Sequence, residues 1–190
     1  MHIWIDIDNV KHVAFFKAII TELNKRNHEV IVTALDKKEI TETLKEHQIN
    51  AKVIGEILPI FGLFEKFFQM YRVALLKRYL SSRDPNLAFS LGSSSILTTC
   101  AYLKLPLVVL LHHPMQKIQK YHFGFKKCCY IVSDVIPEET ITKYLISTKR
   151  IRKYKSIGDK EAPYTIHQSL VEICDHLDSL SNCISEEIDA

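Results

Sequence analysis

The stretch WIDIDNVKHVAFFKAI (residues 4–19) joins an apolar strand to an amphipathic helix. Asp6 and Asp8 come at the end of the strand, and Asn9 and His12 follow in the turn. Side chains in a strand alternate between its two faces, so the two carboxylates share one face. Such a pair is typical of a metal site, of an attack on a phosphate or of a sugar pocket, and it also serves simply to fix a loop.

Apolar strand patterns alternate with helical patterns along the rest of the chain. Strands are predicted at residues 2–8, 29–35, 51–54, 87–91, 106–112 and 129–135. Helices are predicted at residues 11–26, 61–80 and 92–103. Another helix is predicted to be capped by Asp36 and to end at about residue 47, and a further one is predicted to start at Pro137. Strands that are apolar on both faces are typical of a parallel sheet covered by helices. The sequence therefore predicts a Rossmann-like, doubly wound α/β domain with strand order 3-2-1-4-5.

The last part of the chain has a pattern of its own. Apolar residues at helical spacing predict a terminal amphipathic helix, packed on the body or on a partner: Ile166, Leu170, Ile173, Leu177 and Leu180. Residues 161–190 hold seven acids and no Lys or Arg, so the rest of the chain carries +10. We expect a domain at 1–160 and an acidic helical tail at 161–190. The tail either folds back onto the basic body or is simply solvated, and the basic body could instead bind an anionic partner.

Composition indicates a soluble globular protein, with 47% hydrophobic and 25% charged residues in 190. No signal peptide pattern opens the chain, and no apolar run approaches the ~20 residues of a membrane span. The five cysteines include no CxxC pair, which indicates free thiols in a reducing, cytoplasmic setting. Cys128 and Cys129 would point to opposite faces of a strand, so we expect them in the core rather than in a metal site.

Three polar segments are expected at one edge of the sheet, because ligands of open α/β sheets bind beyond the carboxyl ends of the strands. The residues predicted to line this cleft are Asp8, Asn9, His12, Gly92, Ser93, Ser94, His112 and His113. The turn at 92–95 opens a helix whose N-terminus suits an anion, although serine also caps helices without any ligand. Each histidine is open to a structural or a functional interpretation. Adjacent histidines diverge in a strand, so no metal site is predicted.

Several functions are disfavoured by missing motifs. The five glycines form neither GxGxxG nor GxxxxGK[ST], so no nicotinamide, flavin or P-loop nucleotide cofactor is expected. Asp6 and Asp8 fit the aspartate-based phosphatase pattern, in which the first acid attacks phosphorus and the second handles the proton. That chemistry needs a late Mg²⁺-binding acidic pair. Here Asp134 is a single acid, and Glu138 and Glu139 follow only beyond a proline, so the match to the pattern is weak.

A basic, aromatic helix is predicted within residues 58–80. It either covers the sheet or makes peripheral contact with a membrane surface. The basic residues are scattered and form no nucleic-acid-binding motif, so no nucleic acid partner is expected.

Residues 4–36 closely resemble the start of the domain-of-unknown-function 354 family of archaeal and bacterial proteins. The stretch DPNLAFSLGSSSILTTCAYLKLPLVVLLHH (residues 84–113) and SDVIPEE (residues 133–139) resemble later parts of that family, and the similarity covers about residues 1–161. The family is similar to GT-B glycosyltransferases and sugar-nucleotide epimerases, which have two Rossmann-like domains with a cleft between them. The resemblance implies that this chain is the N-terminal, acceptor-side half alone.

The resemblance also implies how such a half would work. It would need a sugar-nucleotide-binding partner domain, or self-association as a homodimer, before any glycosyl transfer. His12 or Asp8 would act as general base on an acceptor hydroxyl, and the turn at 92–95 would hold an anionic group. Two alternatives stay open, namely a non-catalytic binding or regulatory module and the Mg²⁺-dependent phosphatase.

Overall fold

Seven parallel strands form one sheet in the computed structural model, which describes residues 1–56, 63–111, 128–137, 151–155 and 163–186. The strands are β1 (His2–Ile7), β2 (Glu29–Asp36), β3 (Lys52–Glu56), β4 (Leu87–Ser90), β5 (Leu107–Leu111), β6 (Cys128–Ser133) and β7 (Ile151–Tyr154). The helices are α1 (Val13–Lys25), α2 (Lys38–Glu46), α3 (Leu63–Leu80), α4 (Ser94–Leu103) and α5 (Pro163–Glu186), with a 3₁₀ turn at Val10–His12. The strand order is β3-β2-β1-β4-β5-β6-β7.

Helices cover both faces of the sheet. The buried residues of α1, α2 and α5 form one hydrophobic cluster with Ile3, Ile5 and Ile7 of β1. Trp4, the intervening residue of the same strand, lies in a second cluster with the buried residues of α3 and α4. The alternation along β1 therefore assigns each side chain to one of two cores, as expected for a strand buried on both faces.

The predicted fold class is confirmed, and the differences lie in single elements. β7 is an additional strand that the sequence pattern did not indicate. A 3₁₀ turn precedes α1, which begins at Val13 rather than at Lys11. Asp36 does not cap α2; it is the last residue of β2, and the extended Lys37 stands before the helix. The helix predicted from Pro137 lies outside the described residues.

The predicted terminal helix is present as α5, and it packs into the main core. Ile173, Cys174, Leu177 and Leu180 are almost completely buried in the cluster shared with α1 and β1. The division of the chain at residue 160 stays a prediction, because a helix that shares the core of a sheet does not by itself mark a separate unit.

An arginine of α1's C-terminal end holds the acidic side of α5. Arg26 Nη1 donates to Asp175 Oδ1 at 2.8 Å and to Asp178 Oδ2 at 2.9 Å, and its Nη2 donates to the Val171 carbonyl at 3.2 Å. These bonds raise the pKa of Arg26 against the opposing effect of its burial. Of the alternatives for the acidic tail, its described part thus folds back onto a basic residue of the body.

Four cysteines of the described residues are buried and are not in disulfide bonds: Cys100, Cys128, Cys129 and Cys174. Cys128 lies in the cluster of α3 and α4, and Cys129 lies in the opposite one, as the strand alternation predicts. In the described part of the chain, no helix combines the length and the apolar character that crossing a bilayer requires.

Candidate functional site

Asp6, the deeper of the two carboxylates that end β1, is part of a buried network. Only 2% of the residue is exposed. Arg72 of α3 donates from Nη1 to Asp6 Oδ2 at 2.9 Å and from Nη2 to Oδ1 at 2.8 Å, and Thr33 Oγ1 donates to Oδ1 at 2.6 Å. Trp4 Nε1 in turn donates to Thr33 Oγ1 at 2.9 Å. Burial raises the pKa of Asp6 above its ordinary value, and the bonds from Arg72 and Thr33 act in the opposite direction, so the network offsets part of the cost of burying this carboxylate.

Arg72 also contacts the backbone of β3. Arg72 Nε donates to the Ile54 carbonyl at 3.0 Å. Gly55 has φ +79°, and a Cβ there would lie 2.7 Å from Arg72 Cγ. A glycine is required at this position both by its backbone conformation and by the close approach of the arginine. The network therefore ties β1, β2, β3 and α3 together.

The loop after β1 carries the second carboxylate. Asn9 Oδ1 accepts a hydrogen bond from the Lys11 amide at 3.0 Å and so begins the 3₁₀ turn. Asp8 is partly exposed, and it makes no hydrogen bond or ion pair with any residue that the structure describes. The Asn9 side chain is thus used by the loop itself, whereas the Asp8 carboxylate is open to a ligand.

His12 lies at the junction of this turn and α1. The ring is half-buried, with its centroid 6.3 Å from that of Phe16 in an edge-on arrangement. Burial lowers the pKa of His12 below its ordinary value of 6.5, and the charge of Asp8 acts in the opposite direction. The imidazole is consequently neutral at pH 7 and able to accept a proton.

The turn after β4 is organised by a serine that sequence reasoning did not single out. Ser90 Oγ, completely buried, accepts hydrogen bonds from the amides of Gly92 and Ser93, both at 3.0 Å. Gly92 has φ +101°, which a side chain would strain. Gly92 therefore shapes the turn, and its amide is already used within it.

Ser93 and Ser94 open helix α4 in different ways. Ser93 is the N-cap residue, but its side chain makes no capping hydrogen bond, and its buried hydroxyl has no hydrogen-bond partner among the described residues. Ser94 Oγ, by contrast, accepts a hydrogen bond from Gln69 Nε2 of α3. The first amides of a helix lack intrahelical partners, so Ser93 Oγ and the start of α4 form a set of unsatisfied donors.

The two loops lie side by side. Ile3, Trp4 and Ile5 of β1 pair with Leu87, Ala88 and Phe89 of β4, and continuing that register places Asp8 level with Gly92. Neighbouring strands are about 4.8 Å apart. Strand order reverses at this pair, since the chain winds from β1 outward to β3 and then returns to β4. The loops after β1 and β4 therefore leave the sheet side by side at its switch point, and which side chains line a cleft there stays a prediction.

The third predicted segment of the site follows β5. His112 and His113 lie outside the described residues. Within the described part, no three His, Cys, Asp or Glu side chains are grouped so that they could hold a metal ion.

The geometry opposes the phosphatase interpretation. Asp6, its nucleophile, is buried with both oxygens bonded to Arg72 and Thr33. Asp134, the late acid that the structure describes, follows β6, which is three strands from β1 in the sheet. At about 4.8 Å per strand this separation is roughly 14 Å, too far for both acids to hold one Mg²⁺ ion.

A parallel Rossmann-like sheet, covered by helices on both faces and with polar loops at its switch point, is the class of structure found in each half of the GT-B fold. The chain belongs to the family described as "Protein of unknown function (DUF354)", which matches residues 1–184. The match confirms the resemblance and extends it through most of α5. No curated protein matches the chain in sequence.

Solved structures confirm the fold at low sequence identity. MurG of Acinetobacter baumannii superposes with a TM-score of 0.62 and 13% identity, over 86% of this chain and 47% of that one. UDP-GlcNAc 2-epimerase of Methanocaldococcus jannaschii, in complex with UDP-GlcNAc and UDP, superposes with a TM-score of 0.62 and 12% identity, over 81% of this chain and 46% of that one. The UDP-GlcNAc 2-epimerase of Neisseria meningitidis, bound to UDP-GlcNAc, superposes with a TM-score of 0.57 and 15% identity, again over 81% of this chain and 46% of that one. The chain thus spans about half the length of these structures, and the likeness shows a GT-B-like fold.

Proposed function

We propose that the chain is the acceptor-side lobe of a GT-B-type glycosyltransferase-like enzyme. The observation that supports this most is the pairing of β1 with β4, which sets the Asp8–His12 loop beside the first turn of α4. One loop offers a carboxylate and a neutral imidazole, and the other offers unsatisfied donors. A base next to an anion-binding turn is the arrangement that glycosyl transfer from a nucleoside diphosphate sugar requires.

His12 is the preferred general base, with Asp8 as the alternative. The acceptor hydroxyl would give its proton to the neutral imidazole as its oxygen bonds to the anomeric carbon. The bond from that carbon to the phosphate oxygen would break at the same time, and the nucleoside diphosphate would leave with the electron pair. Asp8 would stabilise the imidazolium that forms, because its charge already favours the protonated ring.

The first turn of α4 would receive a negatively charged group. Ser93 Oγ and the free amides of the helix are donors, and the positive end of the helix dipole adds to their effect. Asn9 and Gly92 would contribute mainly by shaping the two loops, since Asn9 Oδ1 and the Gly92 amide already bond within them.

A second lobe has to complete the cleft, because transfer depends on holding donor and acceptor together. We propose that a sugar-nucleotide-binding partner domain or a second copy of this chain supplies it. The structures of M. jannaschii and N. meningitidis epimerases, both solved with UDP-GlcNAc, support a uridine diphosphate amino sugar as the donor class to test first.

The decisive experiment is purification of the protein from its native cells, followed by mass identification of bound proteins and assay with UDP-GlcNAc. A complex with a sugar-nucleotide-binding protein, or a homodimer, should turn the donor over. His12→Gln should reduce turnover by about 10²–10⁴-fold, the usual contribution of a general base, while His47→Gln on α2 serves as the matched control. Purification without such a partner, self-association or turnover would favour the non-catalytic binding module instead.

The coupling of Asp8 to His12 can be tested without any substrate. NMR titration should give His12 a pKa below 6.5, and Asp8→Asn should lower it further, because removal of the negative charge disfavours the imidazolium. Asp36→Asn, an exposed acid at the end of β2, is the control and should leave His12 unchanged. An unchanged pKa in Asp8→Asn would remove Asp8 from the proposed pair.

A further inference from the structure

One face of α3 is exposed although it is apolar. Phe67 is 66% exposed, Met70 47% and Tyr71 54%. Exposed residues of the helix recur at intervals of three and four, so they form one continuous strip that Ala74 and Arg78 extend. Adjacent large apolar side chains on a water-facing strip mark a contact surface more often than single exposed residues do.

Helix α4 widens this strip. Tyr102 of α4 is 57% exposed, and Lys77 Nζ of α3 lies 5.7 Å from the centre of its ring. Neither Lys77 nor Arg78 pairs with an acidic group in the described part of the chain. We call this set the α3–α4 surface; its members are Phe67, Met70, Tyr71, Lys77, Arg78 and Tyr102.

The surface is positively charged over a wide area. Between residues 67 and 111 Asp84 is the sole acid, whereas the exposed cations of this stretch are Lys77, Arg78, Arg83 and Lys104. Arg78 also lines an open groove of about 440 Å³ between β3 and α3, together with Lys52 and Arg83. The positive charge therefore continues from the helix onto the edge of the sheet.

The opposite face of the molecule differs in charge. There, basic residues are matched by acids, as in the ion pairs of Lys25 with Glu22 and of Lys38 with Glu42. α5 adds Glu172, Asp175 and Asp178 to that side. The contrast gives the molecule one face that attracts anions and one that does not.

We propose that the α3–α4 surface binds an anionic lipid bilayer. Phe67, Met70 and Tyr71 would enter the interfacial region, where aromatic and flexible apolar side chains are favoured. Lys77 and Arg78, each about two turns beyond Met70 and Tyr71 along the helix, would contact the lipid phosphates. Apolar burial and charge attraction act together in such binding, and either alone is weak. The proposal does not depend on the proposed transfer reaction.

Vesicle co-sedimentation tests both contributions. Vesicles of phosphatidylcholine with about one-third phosphatidylglycerol should bind the protein at about 0.1 M salt, and pure phosphatidylcholine should bind it much less. Lys77→Gln/Arg78→Gln should lower the partition coefficient roughly 25-fold, from about fivefold for each basic residue near an anionic surface. The matched control is Lys37→Gln/Lys45→Gln, the same charge change on the opposite side, and it should have little effect.

The apolar contribution has its own variant. Phe67→Ser should weaken binding roughly tenfold, as expected when one large apolar side chain is withdrawn from a bilayer interface. Val135→Ser, an exposed position after β6, is the control. Trp4 is the only tryptophan and is completely buried, so its fluorescence verifies that each variant is folded.

Insertion can be observed directly with brominated lipids, which quench tryptophan at short range. The wild-type protein should not be quenched, since Trp4 lies inside the sheet. Phe67→Trp should be quenched on anionic vesicles, and Val135→Trp should not.

Three results would overturn the proposal: no binding to anionic vesicles at low salt, equal loss in the control variants, or an unquenched Phe67→Trp. Self-association that Phe67→Ser abolishes, with no binding to vesicles, would assign the surface to a second copy instead.

Discussion

The two faces of the sheet are each held by an arginine that binds carboxylates, but the two arginines lie in different surroundings. Arg72 is buried and its guanidinium binds a carboxylate of β1 and a carbonyl of β3. Arg26 is partly exposed and binds three acids on α1 and α5. The number of bonds is similar, so the bonds alone do not rank the two sites. Burial does, because a charge that loses its partner in the interior cannot be solvated by water.

The largest effect is expected at the buried site. Arg72→Met leaves the buried carboxyl of Asp6 without its ion-pair partner, and should lower the free energy of unfolding by about 3–5 kcal/mol. Urea denaturation followed by circular dichroism measures it. Asp6→Leu/Arg72→Met removes both charges and should restore much of the loss. A single variant that unfolds like the wild type would contradict the ranking by burial.

The next effect tests whether α5 belongs to the core of its face. Leu177 is completely buried against α1 and β1. Leu177→Ala should cost about 2–5 kcal/mol through lost burial and the cavity left behind. Ser179→Ala, on the exposed side of α5, should change stability little. Equal stability of both variants would mean that α5 is an appendage and not part of the core.

A smaller and salt-dependent effect is expected at the exposed site. Arg26→Gln should cost about 1 kcal/mol at low salt and less at high salt, because water screens partly exposed pairs. Burial opposes ionisation of Glu22, but hydrogen bonds from Arg26 and Lys25 lower its pKa below 4.5 overall. The stabilisation by Glu22 is thus complete above pH 4.5 and is lost as pH falls through the lower, folded-state value. Thermal unfolding from pH 3 to 7, at two salt concentrations, measures both dependences.

The smallest effect on stability is expected at Ser93, whose proposed role is in binding rather than in folding. Replacing a serine N-cap usually costs about 1 kcal/mol, but Ser93 makes no capping bond, so Ser93→Ala should leave stability nearly unchanged. Ser90→Ala, by comparison, leaves two amides without their acceptor and should cost about 1–3 kcal/mol. Denaturation of both variants is the measurement. A clear loss in Ser93→Ala would give that hydroxyl a structural role instead.

Much of the sheet could be predicted because its strands are continuous apolar runs. β7 could not, because the sequence IRKY of Ile151–Tyr154 has two adjacent basic residues between its apolar ends, and among its side chains only Tyr154 is deeply buried. Such an edge strand is recognised by pairing with β6, which is a tertiary contact.

The candidate site was predictable in its position but not in its internal bonds. Loops after β1 and β4 converge wherever the strand order reverses, and this rule requires only the order of the elements. The ion-pair partner of Asp6 could not be identified from the sequence, because Arg72 is 66 residues away and is one of several scattered basic residues of a helix. Ser90, Ser93 and Ser94 differ in their hydrogen-bond partners, and these partners depend on distances in the folded structure that cannot be read from the order of the serines in the sequence.

The contact between α1 and α5 also sets a condition on how the chain is made. Arg26 is separated from Asp175 and Asp178 by 149 and 152 positions. At roughly 5–20 residues per second, a ribosome needs about 8–30 s to pass from one partner to the other. During that interval the part of the first helix that later contacts α5 has no cover, so the nascent chain exposes this part of its core until its last described helix emerges.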